Sequence, residues 1–305
     1  MRRVRVATIS MPRRNSLDSG LATALGLVDQ AGLYRPDIIA LPEACINDRQ
    51  SPQPVPGPIT EAMAAKARQL GSYLIIPLIE LTAAGQCYNT AVLLDATGEI
   101  AGCYRKMFPT DYEMEAGIIP GEEAPVFTTT FGKIGIATCF DLNFPELISG
   151  LAEGGAEIVF FVSAYEGGRQ LLYAALQNSV YIVSAFRGGI GYFVDKSGML
   201  LQKGHGGRQP VVVRELNLDR YILHIDYNWQ KIADIGRKYG AAIHVDIYAP
   251  EGIFALESLS DQVSVPDLMK EFNLETFQEY LARSRQLRRA KLAGAHVTSG
   301  PVAKR

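Results

Sequence analysis

The chain has 305 residues, of which 48% are hydrophobic and 20% charged, and its formal net charge is −2. This composition supports a well-filled core in one large α/β domain or two small ones. It excludes a nucleic-acid binder driven by overall charge, and four Cys in a chain this long exclude a disulfide scaffold.

Read from the N-terminus, Val4 to Ser10 is a short apolar run with β-branched residues, expected as a strand. Leu17, Leu21, Leu25 and Val28 recur at helical spacing, with Ser16 placed to cap them. Asp37 to Leu41 predicts a second buried strand, stopped by Pro42, so Glu43 falls just past a strand end. Residues 51–58 form a loop with four prolines, followed by a helix with Ile59, Met63, Ala67 and Leu70 on one face. Tyr73 to Leu81 reads as a strand, and Tyr88 to Leu94 and Glu99 to Arg105 as a hairpin around Asp95-Ala96-Thr97-Gly98. Residues 106–125 read as an acidic loop.

The second half repeats the style. Ile134 to Thr138 is expected as a strand ending at Cys139, Pro145 to Ala152 as a helix and Ile158 to Val162 as a strand. Gln170 to Ser179 is expected as a helix and Tyr181 to Ala185 as a strand. Gly188-Gly189 and Lys196-Ser197-Gly198 punctuate two more strands, and Val211 to Val213 and Tyr221 to Ile225 continue the β content. From about Val265 the chain turns helical and then basic. Residues 282–305 carry seven basic residues and no acid, leaving −9 on the rest. The expectation is one α/β domain over 1–260 and a helical, basic extension over 261–305. The extension reads as a dimer-docking helix, its Phe277, Leu281, Ser284 and Leu287 near one face. The strand–helix alternation calls for sheets covered by helices. The many β–β connections favour stacked mixed sheets over a simple doubly wound parallel sheet.

The termini show no signal-peptide pattern, since Arg5, Pro12, Arg13 and Arg14 break the first apolar run. No window has the uncharged length needed to span a bilayer. A soluble cytoplasmic protein is expected. The four His (205, 224, 244, 296) show no metal-ligand spacing with the Cys.

Three segments each place a reactive group just after an apolar strand, where α/β folds commonly build sites. They are Ile38 to Glu43, Gly102 to Lys106 and Gly135 to Asp141, offering a carboxylate, an ammonium and a thiol. A thiol must lose a proton to attack, a carboxylate can take it, and an ammonium can stabilise the resulting oxyanion. Taken singly, each residue has an ordinary structural explanation; it is the ordered trio that points to a histidine-free nucleophilic site.

The segments LPEA around Glu43, YRKMFP around Lys106 and GIATCFDLNFPEL around Cys139 resemble the three signatures of the carbon–nitrogen hydrolase (nitrilase) superfamily. Lys106 follows Glu43 by 63 residues and Cys139 follows Lys106 by 33, which also fits. The resemblance covers residues 3 to about 250. It implies a four-layer α-β-β-α sandwich of two mixed sheets, usually dimerised, and a Glu-Lys-Cys triad that needs no metal and no organic cofactor. Cys139 would form a thioester, Glu43 would serve as general base and acid, and Lys106 with the Phe140 N–H would hold the oxyanion. A second site glutamate is implied in the loop after Lys106; Glu113 is the choice, with Glu115 the fallback.

The substrate implied is a small amide or N-carbamoyl compound, with water as the second reactant. Phe140-Asp141 departs from the Trp-Glu of nitrilases proper, and Met107-Phe108 replaces the usual His-Leu. The basic residue that some carbamoylases carry shortly after the nucleophile is missing; Asn143 stands near that position and Arg187 is the next basic candidate. The rivals are a nitrilase acting on a nitrile, or a catalytically silent member binding a metabolite or partner. A homodimer or higher homo-oligomer is expected, without nucleic acid or membrane as partner.

Overall fold

The computed structural model describes residues 2–189, 191–204 and 208–298. The first half of the chain builds β1 (Arg3–Ile9), α1 (Leu17–Gly32), β2 (Ile38–Ala40), α2 (Pro58–Leu70), β3 (Tyr73–Leu81), β4 (Cys87–Leu94), β5 (Ile100–Arg105) and the short α3 (Asp111–Glu115). The second half builds β6 (Phe127–Thr128), β7 (Lys133–Thr138), α4 (Pro145–Glu153), β8 (Ile158–Ser163), α5 (Arg169–Asn178), β9 (Tyr181–Phe186), β10 (Tyr192–Val194), β11 (Leu200–Lys203) and β12 (Val211–Asn217).

Two six-stranded mixed sheets result, in the orders β12-β1-β2-β3-β4-β5 and β11-β10-β9-β8-β7-β6. Each has a parallel trio, β1-β2-β3 or β7-β8-β9, continued by an antiparallel meander. The helices lie where side-chain alternation sends the larger apolar groups. Ala24, Val28 and Ala31 of α1 and Met63 and Ala67 of α2 pack on Ala7, Ile9, Ile39, Leu74 and Ile76 of the first sheet. Burying a Leu or Ile side chain stabilises by about 2 kcal/mol, so apolar contact holds these helices down. Helices α4 and α5 likewise bury Leu147, Ile148 and Leu151, and Leu171 and Ala175. The inner faces meet: the buried Thr8 hydroxyl of β1 donates to the Ser184 carbonyl of β9 at 2.7 Å. This is the α-β-β-α sandwich expected from the stacked mixed sheets.

Ser16 caps α1, accepting from the Ser19 N–H at 3.2 Å. Gly20 in α1 is required by close approach, because a methyl there would lie 2.3 Å from the Ile46 carbonyl. The loop after β2 is thus seated on α1. Buried Asn47 fixes its other side: Nδ2 donates to the Ile79 carbonyl and Oδ1 accepts from the Ile79 N–H, both at 2.9 Å.

The chain divides into two compact units, Val4–Leu216 and a second made of Met1–Arg3 with Asn217–Arg305. The boundary expected near residue 260 falls inside the second unit. That unit holds a three-stranded sheet in the order β13 (Arg220–His224), β15 (Ile253–Ser258), β14 (Ile243–Tyr248). It also holds helices α6 (Trp229–Tyr239), α7 (Val265–Glu271) and α8 (Phe277–Leu292). Leu223, Ile235, Phe254, Leu256, Val265 and Leu268 form its core. Of these elements, β14, β15 and α6 were not expected. On α8, Arg283 is paired with Glu275 at 2.6 Å, while Arg285, Arg288, Arg289 and Lys291 are exposed. Lys304 and Arg305 of the basic stretch, and His205, lie outside the described residues. Among the described residues no helix is long and apolar enough to cross a membrane.

Candidate active site

The site collects the ends of strands. Glu43 lies just beyond β2, Cys139 directly after β7, Ala164 directly after β8 and Arg187 directly after β9. The parallel registers Thr138↔Val162 and Ser163↔Phe186 bring the last three to one edge of the second sheet. Lys106 directly follows β5, and its N–H donates to the Asn89 carbonyl of β4 at 2.8 Å, extending that ladder. These residues line one cavity of about 270 Å³ together with Glu113, Asn89, Arg13, Asp48 and Arg49.

Glu43 is 4% exposed and Lys106 1% exposed, so their charges must be answered locally. Glu43 Oε1 accepts from Lys106 Nζ at 3.0 Å and from Asn89 Nδ2 at 2.8 Å. Its Oε2 accepts from the Ala164 N–H at 2.9 Å. Lys106 Nζ also donates to Glu113 Oε2 at 2.7 Å, and Asn89 Nδ2 to Glu113 Oε1 at 3.0 Å. Asn89 therefore joins the two carboxylates, and Lys106 sits between them. Burial alone would lower the Lys106 ammonium, but the Glu43 carboxylate and then the Cys139 and Glu113 charges hold it above the ordinary lysine range. Burial would raise Glu113, and the adjacent Lys106 charge and hydrogen bonds outweigh it and hold the carboxyl low.

Glu113 is positioned by a capping box. Thr110 Oγ1 accepts from the Glu113 N–H at 3.2 Å, and Glu113 Oε2 accepts from the Thr110 N–H at 2.8 Å, opening α3. Glu115, at the end of α3, is exposed.

Cys139 has φ of 52°, a left-handed conformation uncommon outside glycine and typical of residues held by their surroundings. Its thiol is pushed up to about 11, first by burial, then by the Glu43 charge, with Lys106 acting the other way. At neutral pH the resting group is therefore a thiol. The Lys106 ammonium acts against this rise without reversing it.

What holds this turn is Asp141, which is fully buried. Oδ2 accepts from the Thr138 N–H at 2.7 Å and from the Tyr104 hydroxyl at 2.6 Å, and Oδ1 accepts from the Phe108 N–H at 2.9 Å. One carboxyl thus ties the turn at Cys139 to the segments on both sides of Lys106. Burial raises it to about 6 against these hydrogen bonds. An aromatic stack reinforces the link: Phe108 lies parallel to Phe144 at 3.8 Å, and Phe140 meets Phe144 edge-on at 5.5 Å. Asp141→Ala strands three donors, two of them buried, and opens a cavity. We expect it to destabilise by about 3 kcal/mol and to lower Tm by on the order of 5–10 °C in a thermal melt, with activity falling alongside; Asp141→Asn should keep part of both.

The structure thus brings together Glu43, Lys106, Cys139, Glu113 and Arg187. It does not bring Asn143 to the same cavity. The turn after Cys139 carries Asn143 outward, where Nδ2 donates to the Phe140 carbonyl at 3.1 Å and Oδ1 accepts from Gln170 Nε2 at 2.9 Å. It lines a separate hollow with Arg169, Gln170 and Tyr173. The Phe140 ring belongs to the aromatic stack; its backbone is what adjoins Cys139. Asn89, Arg13, Asp48 and Arg49 were not expected at the site. Among the described residues there is no cluster of His, Cys, Asp and Glu able to hold a metal ion.

The profile of the carbon-nitrogen hydrolase family matches residues 5–220, and the chain belongs to that family. It is 24% identical to the omega-amidase NIT2 of Bos taurus over 256 residues, which are 76% of this chain and 91% of the relative. Among solved structures it is similar to Nit3 of Saccharomyces cerevisiae, a member of branch 10 of the nitrilase superfamily. The TM-score is 0.65 at 18% identity, covering 79% of this chain and 95% of the other. A double mutant of the amidase from Nesterenkonia sp. AN1 in complex with acrylamide matches with TM-score 0.64 at 20% identity, covering 78% of this chain and 98% of the other. The protein is a carbon–nitrogen hydrolase.

Proposed function

We propose that the protein is a cysteine-dependent amidase that hydrolyses a small linear amide through a thioester on Cys139. The observation that carries this reading is the bonding of one buried carboxylate, Glu43, to Lys106 Nζ at 3.0 Å in the cavity that Cys139 also lines. The amide-acting relatives support it from outside the chain.

The chemistry follows from the charges. The thiol proton passes to Glu43 as Sγ bonds to the carbonyl carbon, so a free thiolate need not accumulate. The carbonyl oxygen becomes an oxyanion held by Lys106 and the Phe140 N–H. Glu43 returns the proton to the amide nitrogen, the C–N bond breaks and ammonia or amine leaves. Water then gives a proton to Glu43 and attacks the thioester carbon; the acid departs and the thiol re-forms. Glu113 keeps Lys106 charged and in place.

Ammonia release across amides, N-carbamoyl amines and nitriles tests the substrate class. Linear amides are expected to be turned over fastest. Turnover of nitriles to acid with amides inert would assign a nitrilase instead, and no turnover in any class would leave a binding protein.

A further inference from the structure

The Asn89 side chain is bonded at one end only. Asn89 stands on β4, is 2% exposed, and accepts the Lys106 N–H on its backbone carbonyl at 2.8 Å. Its Nδ2 donates to two carboxylates, to Glu43 Oε1 at 2.8 Å and to Glu113 Oε1 at 3.0 Å. Its Oδ1 is buried and has no hydrogen-bond partner among the described residues. A buried acceptor left unbonded is costly, and folded chains carry few of them. The reverse orientation of the amide is excluded, because it would set a third oxygen against the two carboxylates. The side chain thus forgoes its acceptor end to place two uncharged donors between Glu43 and Glu113. Serine and threonine offer one hydrogen there, and aspartate none unless protonated.

The consequence falls on Glu43. An ionised carboxylate has about two acceptor positions on each oxygen. Those of Oε1 are taken by Lys106 Nζ at 3.0 Å and by Asn89 Nδ2. Oε2 accepts from the Ala164 N–H at 2.9 Å and keeps a second position. Burial first and then the Glu43 charge raise the Cys139 thiol, and a hydrogen bond to Glu43 adds to the rise. The donor on Oε1 is also uncharged. Lys106 already answers two carboxylates, and a second cation in place of Asn89 would weaken Glu43 as a proton acceptor. We propose that Asn89 is a positioning residue for hydrolysis. Together with Lys106 it fills Glu43 Oε1, so that Oε2 takes the proton from Cys139 Sγ and returns it to the leaving nitrogen, and it fixes the spacing of Glu43 and Glu113 around Lys106.

The proposal rests on the amidase reading, and the test separates the two. Hydrolysis of a good linear amide is followed against pH in the parent, Asn89→Leu and Asn89→Asp, over the range where circular dichroism shows each folded. Asn89→Leu keeps the volume and loses both donors. Its kcat should fall by about 10²-fold with KM changed by less than about threefold. A kcat within about threefold of the parent overturns the proposal. Asn89→Asp keeps the shape and can donate only while protonated. The ratio of its kcat to that of the parent should decline as pH rises, which a merely structural role would not produce, and a ratio flat with pH overturns the proposal. Either variant decides if the other does not fold. If the parent hydrolyses no amide, the amidase reading falls. The pH midpoint of iodoacetamide labelling at Cys139 then decides the role of Asn89. In Asn89→Leu the Glu43 carboxylate loses a donor, so the midpoint should rise above that of the parent; a midpoint unchanged or lower overturns the proposal.

Discussion

Replacing Cys139 by alanine is expected to lower kcat for amide hydrolysis by at least about 10⁴-fold while Tm moves by no more than about 2 °C. The two parts of this expectation have different origins. The catalytic loss follows because Cys139 is the one thiol among the described residues that line the cavity, and the Lys106 amine is held protonated between two carboxylates. The structural tolerance follows because alanine carries the same Cβ into the left-handed turn. The turn itself is fixed by the bonds of Asp141 and not by the sulfur. Of the remaining thiols, Cys45 is fully buried, and neither Cys87 nor Cys103 lines the cavity, although Cys87 packs against Ala44, Ile79 and Ile118, which do. Steady-state ammonia release and a thermal melt on the same preparation measure both.

Glu43→Gln should cut hydrolysis by about 10³-fold while moving the thiol in the opposite sense. All the neighbours of Glu43 donate to it: Lys106, Asn89 and the Ala164 N–H. Glutamine offers one oxygen and turns an N–H₂ toward some of these donors, and it cannot take a proton from Sγ. Burial is the first cause of the high thiol pKa of about 11, and the Glu43 charge is the second. Removing a negative charge beside an acid favours its ionised form. The pH midpoint of iodoacetamide labelling at Cys139 should therefore fall below that of the parent. A variant that is more easily alkylated yet much slower in hydrolysis marks Glu43 as the base. Hydrolysis within tenfold of the parent would assign that role elsewhere.

Much of this site was legible because strands end where residue types change. Ile38 to Leu41 and Ile134 to Thr138 are apolar runs, so the polar or reactive residue after each run lands at a sheet edge. The choice between Glu113 and Glu115 had a local signal in Thr110-x-x-Glu113, a capping-box spacing inside what reads as loop. Asn89 had a weaker one, an amide inside an otherwise apolar strand. Asn143 stands four residues after Cys139, yet the tight turn directs its side chain to a different hollow, and chain proximity carries no such direction. Arg13, Asp48 and Arg49 sit on loops whose placement depends on contacts such as Gly20 against Ile46, and periodicity is blind to those. In the second unit, Ile243, Val245 and Ile247 alternate with His244, Asp246 and Tyr248, a strand pattern that is legible in retrospect. The unit boundary at Leu216 had no marker, because β12 runs across it without a linker.

The central claim is that the acyl group passes through Cys139. Acid-quenching the enzyme during turnover of a good amide, followed by mass spectrometry of the peptide spanning Ile134 to Pro145, tests it directly. The predicted result is an acyl adduct on Cys139 that hydroxylamine removes and that Cys139→Ala lacks. Steady product formation with the Cys139 peptide unmodified at every quench time, and undiminished in Cys139→Ala, would contradict it.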